Sequence, residues 1–334
     1  MRIFDFSSCL FSDRNGTYGG NSGDKEGILI ENEPWIIKYP KKGSRLTNVS
    51  DLLYSTTPES EYIGSHVYEI LGYPVHKTLL GIRNNHVVVA CKDLCINDTR
   101  LIEFRQLKNT YNKVLNEKLD LSMSPTGSEH FVLLNEVLIH LEYNPSINNI
   151  PGIKERFWDC VVIDGFINNN DRNNGNWGIL RNKSGDVLSP IYDNGAAFSP
   201  NVPEKRIINK LNNLESLEKG IYDSVTSYSL DGKSSSKFVD LLKLDNDNLK
   251  NAIKRVVPLI QNKMVDICNM INSIPEKVGE FSVVSKERKQ LYQKEMQVRL
   301  DELLLPEFSK LISKEKNVNT KKIKSKFDDY ERGY

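Results

Sequence analysis

The residues best equipped for chemistry lie between Phe166 and Gly195. An Asn-rich run, Asn168-Asn169-Asn170-Asp171-Arg172-Asn173-Asn174-Gly175-Asn176, leads into the apolar Trp177-Gly178-Ile179-Leu180. A turn-type cluster, Lys183-Ser184-Gly185-Asp186, separates this from Val187-Leu188 and from Ile191-Tyr192-Asp193-Asn194-Gly195. The pattern predicts two short strands joined by a tight hairpin turn. With Ser184 and Gly185 as the central pair, Asn176 and Asp193 face each other. Directly opposed cross-strand side chains lie a few ångströms apart. An amide oxygen beside a carboxylate suits a hard cation such as magnesium, which takes oxygen ligands and also holds phosphates. Asp171, five positions before Asn176, falls close enough to act on a substrate hydroxyl. A base, a metal-binding Asn and a metal-binding Asp, in the order D-x-x-x-x-N then D-x-G, are the parts of a phosphoryl-transfer site. Asn-rich loops are also common as plain turns, because Asx side chains bond their own backbone. The opposed register is what sets this one apart.

Such a site needs a phosphate cover and a counter-charge, and the first third of the chain offers both. Thr17 to Lys25 is a loop of small residues containing Gly19, Gly20, Asn21, Ser22 and Gly23, followed by the short apolar runs Gly27-Ile28-Leu29-Ile30 and Trp35-Ile36-Ile37-Lys38-Tyr39. The β-branched and aromatic content of those runs predicts strands. Glycines allow backbone N–H groups to approach phosphate oxygens, although the loop matches neither a Walker A nor a G-x-G-x-x-G pattern and a plain hairpin connection has similar composition. Lys38 is the one charge within its apolar run; it is either an edge-strand guard or a lysine facing phosphate. Thr57-Pro58 opens a helix that Gly72 stops. Ile63, Val67, Ile70 and Leu71 form its apolar stripe. Periodicity alone does not choose between Glu59 and Glu61 as the partner of Lys38, and acids in a first turn also suit the helix dipole. Val75 to Ile82 and His86 to Leu94 form a further hairpin.

From about Leu101 the periodicity is helical, interrupted by the central hairpin. Helices are expected over 131–141, opened by Ser128, and over 155–164, where Asp159 and Asp164 read as helix-face acids. His140 reads as a packed or capping residue. A surface loop is expected at 223–236, then helices over 238–244, 249–260, 264–274 and 286–304. The lysine-rich stretch from Lys314 to Lys326 reads as a solvated, mobile tail.

Composition excludes several classes. The chain has 334 residues, 39% hydrophobic and 27% charged, with net charge +1, so no electrostatic signature of nucleic acid or membrane is present. No stretch approaches the ~20 apolar residues of a membrane span, and no signal peptide is visible. Five scattered cysteines, Cys9, Cys91, Cys95, Cys160 and Cys268, argue for a reducing compartment rather than a disulfide framework. Cys91 and Cys95 have no second pair to complete a zinc site.

The segments Tyr18 to Lys25, Ser60-Glu61-Tyr62, Val88 to Asp93, Asn170 to Gly178 and Ile191 to Gly195, in that order, resemble the HipA-like kinases. The resemblance implies an α+β, protein-kinase-like bilobal fold, with a β-rich N-lobe over residues 1–98, a helical C-lobe over 99–312 carrying the catalytic hairpin, and a basic tail at 313–334. It implies an ATP- and magnesium-dependent serine/threonine kinase. Asp171 is then the base or hydroxyl-orienting residue, Asn176 and Asp193 the magnesium ligands, and Lys38 the phosphate lysine paired with Glu61. The loop from Gly19 to Lys25 covers phosphates and carries autophosphorylation at Thr17, Tyr18 or Ser22. Ala90, Lys92 and Asp93 form the hinge, with Asp93 near the ribose. One departure is Asn173, where the pattern has His. The implied partners are a protein substrate and an antitoxin or host protein, in the cytoplasm or after export as an effector. The Asp-Arg order also resembles phosphoinositide kinases, so a lipid or small-molecule kinase and a non-catalytic nucleotide-binding toxin module are the alternatives.

Overall fold

The computed structural model describes residues 1–17, 25–43, 52–110, 112–121 and 131–315. Tyr18, Gly19, Gly20, Asn21, Ser22, Gly23 and Ser128 lie outside the described residues, as does the tail beyond 315.

A twisted sheet forms the N-terminal part, from β1 (Phe4–Asp5), β2 (Lys25–Ile30), β3 (Glu33–Lys38), β4 (Thr78–Arg83) and β5 (His86–Lys92), in the order β1-β4-β5-β3-β2. β3 is therefore central, and the edge-strand role for Lys38 does not apply. Trp35 and Ile37 point to one face, where they bury with Phe6, Ile28, Val88 and Ala90. The other face packs against α1 (Thr57–Ile70). The stop is as expected, with Gly72 at φ +86°, a conformation glycine adopts without strain. The start differs slightly: Thr56 is the N-cap, and no side chain caps it.

Strand β6 (Arg100–Glu103) leads through α2 (Phe104–Leu107), α3 (Lys113–Leu121) and β7 (Val132–Leu133) to α4 (Leu134–Tyr143) and α5 (Ile153–Phe166). The hairpin expected after the Asn-rich run is β8 (Gly178–Asn182) and β9 (Gly185–Leu188), and β6 adds to it as a third strand. Gly178 is required there, since a Cβ would stand 2.1 Å from the carbonyl oxygen of Ile102. Then follow α6 (Glu204–Asn212), α7 (Leu214–Tyr222), β10 (Tyr228–Ser229), α8 (Phe238–Leu241), α9 (Asp247–Ser273), β11 (Lys277–Val278), β12 (Phe281–Ser282) and α10 (Lys286–Val298). His140 is packed as expected, buried against Phe104 with Nδ1 3.0 Å from Asn144 Nδ2. Among the described residues no helix is long and apolar enough to cross a membrane.

Three expectations are corrected. The two helices expected on either side of 261–263 are one 27-residue helix, α9, that runs through Pro258. Val256, Val257 and Ile260 are fully buried there, and that packing outweighs the hydrogen bond a proline forfeits. The expected loop at 223–236 contains β10, and 226–229 are buried because β10 pairs with β7 in parallel. Asp159 and Asp164 are not solvated helix-face acids: both are buried, Asp159 on Arg255 and Asp164 on Arg172.

Glu59, in the first turn of α1, is buried, and no described group bonds its Oε2. Burial pushes its carboxyl up to about 8, with a backbone hydrogen bond and then Arg288 pulling the other way. Below about pH 4.5 folded and unfolded chains both hold this proton. Between there and about pH 8 the unfolded chain releases it and the folded chain does not, so this contribution to stability is lost as pH rises through that window. Wild-type protein should therefore show a chemical-denaturation midpoint that falls between about pH 5 and pH 8, and Glu59→Gln should flatten that slope. An equal slope in both proteins would remove Glu59 as its source.

Candidate active site

Lys38 leaves the end of β3 on the face covered by α1, and its ammonium lies 2.8 Å from Glu61 Oε2 and 2.9 Å from Asp193 Oδ1. One lysine thus joins the sheet, α1 and the loop after β9. Glu61 is fully buried. Its Oε1 accepts the Asn194 backbone N–H at 2.9 Å and stands 3.0 Å from His76 Nε2. Asn194 Nδ2 in turn donates to Ser65 Oγ on α1. Burial alone would neutralise both members of the Lys38–Glu61 pair, but the charges around them outweigh it. The Glu61 carboxyl is held well below the usual range by Lys38 and His76, and the Lys38 ammonium is raised well above its usual value by Asp193 and Glu61. The ambiguity between Glu59 and Glu61 is therefore settled: Glu61 meets Lys38. The close approach of α1 to this loop rests on glycine, because a Cβ on Gly64 would stand 2.8 Å from Asn194 Cβ and one on Gly195 2.8 Å from Thr57 Cγ2. Asp193 itself has φ +59°, a strained setting for a non-glycine residue of the kind found at functional sites.

The hairpin register differs from the expected one. Asn182 pairs with Gly185 and Ile179 with Leu188, so the turn centres on Lys183 and Ser184 and the ladder does not set Asn176 opposite Asp193. Arg172 brings their neighbourhoods together instead. Its fully enclosed guanidinium is bidentate on Asp164, Nε to Oδ2 at 2.8 Å and Nη2 to Oδ1 at 2.9 Å. It also donates to the backbone oxygens of Asn176 at 3.1 Å and Tyr192 at 2.5 Å, and to Asn194 Oδ1 at 2.5 Å. Asp193 lies between two of those acceptors. Asp164 is completed by Tyr68 O–H and Asn169 Nδ2.

Asp171 sits at the rim of this network, open to solvent on one side. The Asn173 amide donates to its Oδ1 at 2.9 Å, and Asn176 Nδ2 donates to its backbone oxygen at 2.5 Å. Partial desolvation pushes the Asp171 carboxyl up, the Asn173 amide pulls it down, and nearby Asp193 adds to the rise. Raised pKa values at cleft carboxylates are a mark of functional sites.

Lys25, at the start of β2, is registered opposite Lys38, and burial and the Lys38 charge both lower its pKa. The residues expected at the hinge, Ala90, Lys92 and Asp93, have partners in the sheet and at its exit. Ala90 is paired on both sides, with Ile37 and Leu79. Lys92 spends its N–H on Lys77 O and its ammonium on Glu33. The Asp93 carboxylate is buried, accepting Cys95 N–H at 2.8 Å with Arg14 at 3.3 Å. Among the described residues Glu61, His76 and Cys91 also bring three ligand-type atoms within 4.8 Å of one another, but the Lys38 ammonium already supplies the cation at Glu61.

Sequence reasoning missed Arg172 as the organiser, together with Asp164, Asn194, His76 and Ser65. One signal was available. Asp164 stands in the wholly apolar setting Cys160-Val161-Val162-Ile163 and Gly165-Phe166, where a carboxylate is seldom buried without a partner.

No family model matches the chain. It is 31% identical over 291 residues to the serine/threonine-protein kinase CtkA of Helicobacter pylori, spanning 86% of this chain and 83% of that protein. It also superposes on the crystal structure of the Helicobacter pylori proinflammatory kinase CtkA with a TM-score of 0.79 at 28% identity, covering 93% of this chain and 98% of that one. A slighter likeness, TM-score 0.44 at 12% identity over 86% of this chain and 67% of the other, is to the HipA–HipB–operator DNA complex of Shewanella oneidensis. With 31% identity over most of both chains, the chain belongs to the serine/threonine-protein kinase family of CtkA.

Proposed function

We propose that this protein transfers the γ-phosphoryl group of ATP to serine or threonine hydroxyls of a protein. The observation that carries the reading is the Lys38 ammonium held between Glu61 and Asp193, which ties a sheet lysine to a helix glutamate and to the acid of a D-x-G run, as phosphoryl transfer requires. Residues 1–98 act as the nucleotide lobe, 99–312 as the acceptor lobe, and 313–334 as a tail outside the reaction. Lys38 and Lys25 neutralise phosphate oxygens, and the loop over Gly19 to Gly23 covers them. The oxygens of Asn176 and Asp193 suit magnesium, a hard ion that takes such ligands and neutralises charge developing between the phosphates. Asp171 orients the attacking hydroxyl and accepts its proton, and positioning supplies much of the rate. The acceptors include hydroxyls of the chain's own phosphate loop, Thr17, Tyr18 or Ser22, where added phosphate would occupy the place of ATP phosphates and switch the enzyme off. An antitoxin or host-protein partner is a consequence of the HipA resemblance.

Incubation with labelled ATP and magnesium, followed by intact mass and site mapping, tests this. Wild-type protein should gain phosphate in the segment from Thr17 to Ser22, and Asp193→Ala should gain none while keeping its circular-dichroism spectrum and melting transition. Label on Asp193→Ala at the wild-type rate would sink the assignment.

A further inference from the structure

His76 lies in the stretch joining α1 to β4, and its backbone is fastened to the chain that leads to Asp193. Its N–H donates to Ile191 O at 2.9 Å, the Ile191 N–H donates to Pro74 O at 2.9 Å, and Val75 bridges Ile191 in parallel. From that footing the imidazole enters the interior, where the residue is only 5% exposed. Its Nε2 stands 3.0 Å from Glu61 Oε1 and 3.1 Å from Ser65 Oγ. The ring thus approaches the Glu61 oxygen that Lys38 does not take, since the ammonium meets Oε2.

The partners decide which ring nitrogen carries hydrogen. A carboxylate only accepts, and against the burial that opposes it the Lys38 charge keeps Glu61 ionised. A bare lone pair on Nε2, 3.0 Å from such an oxygen, would be repelled, so Nε2 bears the hydrogen and donates it. Ser65 Oγ, which accepts from Asn194 Nδ2, lies beside that hydrogen as a second acceptor. Oε1 therefore receives two donors, His76 Nε2–H and the Asn194 N–H at 2.9 Å, and both reach it from chain anchored at 191–194. A glutamate side chain turns about three bonds, and donors fixed on Oε1 narrow its orientations to those that bring Oε2 to Lys38.

We propose that His76 is a positioning residue for phosphoryl transfer: donating from Nε2 to Glu61 Oε1, it aims Oε2 at Lys38 and makes the Lys38–Glu61 pair depend on the segment that carries Asp193. The role rests on the kinase reading above and deepens it, because Lys38 is set against the phosphates only while 191–194 is in place. What the reaction needs from position 76 is a hydrogen-bond donor at one point, not the bulk of a ring.

Amide substitutions separate the donor from the ring. The side-chain nitrogen of Gln reaches about as far as Nε2, whereas that of Asn stops near the place of Nδ1, short of Glu61. The limiting rate of self-labelling at saturating ATP and magnesium, with melting transitions of the same preparations, tests the role. His76→Asn should fold and lose at least about tenfold in rate, and His76→Gln should stay within about threefold of the wild type. His76→Leu replaces the Asn variant if that one does not fold. A cycle with Glu61→Gln gives the reading that a merely structural role would not move. Added to Glu61→Gln, His76→Asn should cost less than about twofold more, because the donor has lost the charge it served. If Glu61→Gln transfers too slowly to follow, the contrast between Asn and Gln decides alone. Equal losses in the Asn and Gln variants would overturn the proposal, as would a wild-type rate in His76→Asn or a full tenfold loss on the Glu61→Gln background. A wild-type chain that takes no label would instead count against the kinase reading, and this role would fall with it.

Discussion

Replacing Asp171 by Asn should lower kcat for phosphoryl transfer by about 10²–10⁴ while leaving fold and nucleotide affinity near those of the wild type. The side chain sits at the open rim of the cleft, bonded among the described residues by the Asn173 amide, so little of the described structure depends on its charge. Asn keeps the shape and loses the capacity to accept the hydroxyl proton. Wild-type kcat in Asp171→Asn would remove it from the reaction. The pH profile supplies a second, independent reading. Burial and Asp193 raise the Asp171 carboxyl while the Asn173 amide and the Lys41 charge lower it. As the proposed base Asp171 must be ionised, so kcat/KM should fall on the acid side, with that limb lying higher than an ordinary aspartate would place it. Asn173→Ala removes a bond to the charged form and should move the limb to still higher pH, with most activity kept at alkaline pH. Lys41→Gln should move it in the same direction. A limb that ignores both substitutions would mean that another group sets it.

Local pattern gave the strands on either side of Lys38, the limits of α1 and the existence of the hairpin, because each is written in short-range periodicity with glycine or proline at its ends. What it could not give was anything that depends on contacts across the chain. The hairpin turn is one residue away from where Ser184-Gly185 seemed to place it, since Lys183-Ser184 and Ser184-Gly185 are both acceptable turn centres and only packing against β6 through Gly178 distinguishes them. Pro258 looked like a helix boundary because propensity is a local quantity, whereas the burial that overrides it is not. At the site, Glu61 and Glu59 are indistinguishable by helical spacing. The choice is made by a sheet lysine 23 positions away in sequence. His76 and Ser65 hold Glu61 in place, and such long-range polar pairings leave little trace in a single sequence.

Arg172→Met should be the most damaging single substitution in the chain, lowering unfolding stability by about 3–5 kcal/mol, because it leaves the Asp164 carboxylate buried without its counter-charge. Both members are nearly inaccessible, with side chains 3% and 5% exposed, so solvent cannot compensate. Asp164 would keep Tyr68 and Asn169 as donors, too little for a full charge. The double variant Arg172→Met with Asp164→Asn removes the charge as well as its partner and should recover most of the lost stability, since an amide in that place still accepts from Tyr68. Activity should not recover with it. The guanidinium is also what holds the Asn176 and Tyr192 carbonyls and the Asn194 amide to one point, and neither Met nor Asn supplies those donors. The double variant would then be a folded protein with the segments carrying Asn176 and Asp193 loosened, recognisable by a normal melting transition alongside a kcat/KM for ATP depressed at least tenfold. If stability and activity returned together, Arg172 would be a structural ion-pair member only, and the positions of Asn176 and Asp193 would be set by the rest of the fold.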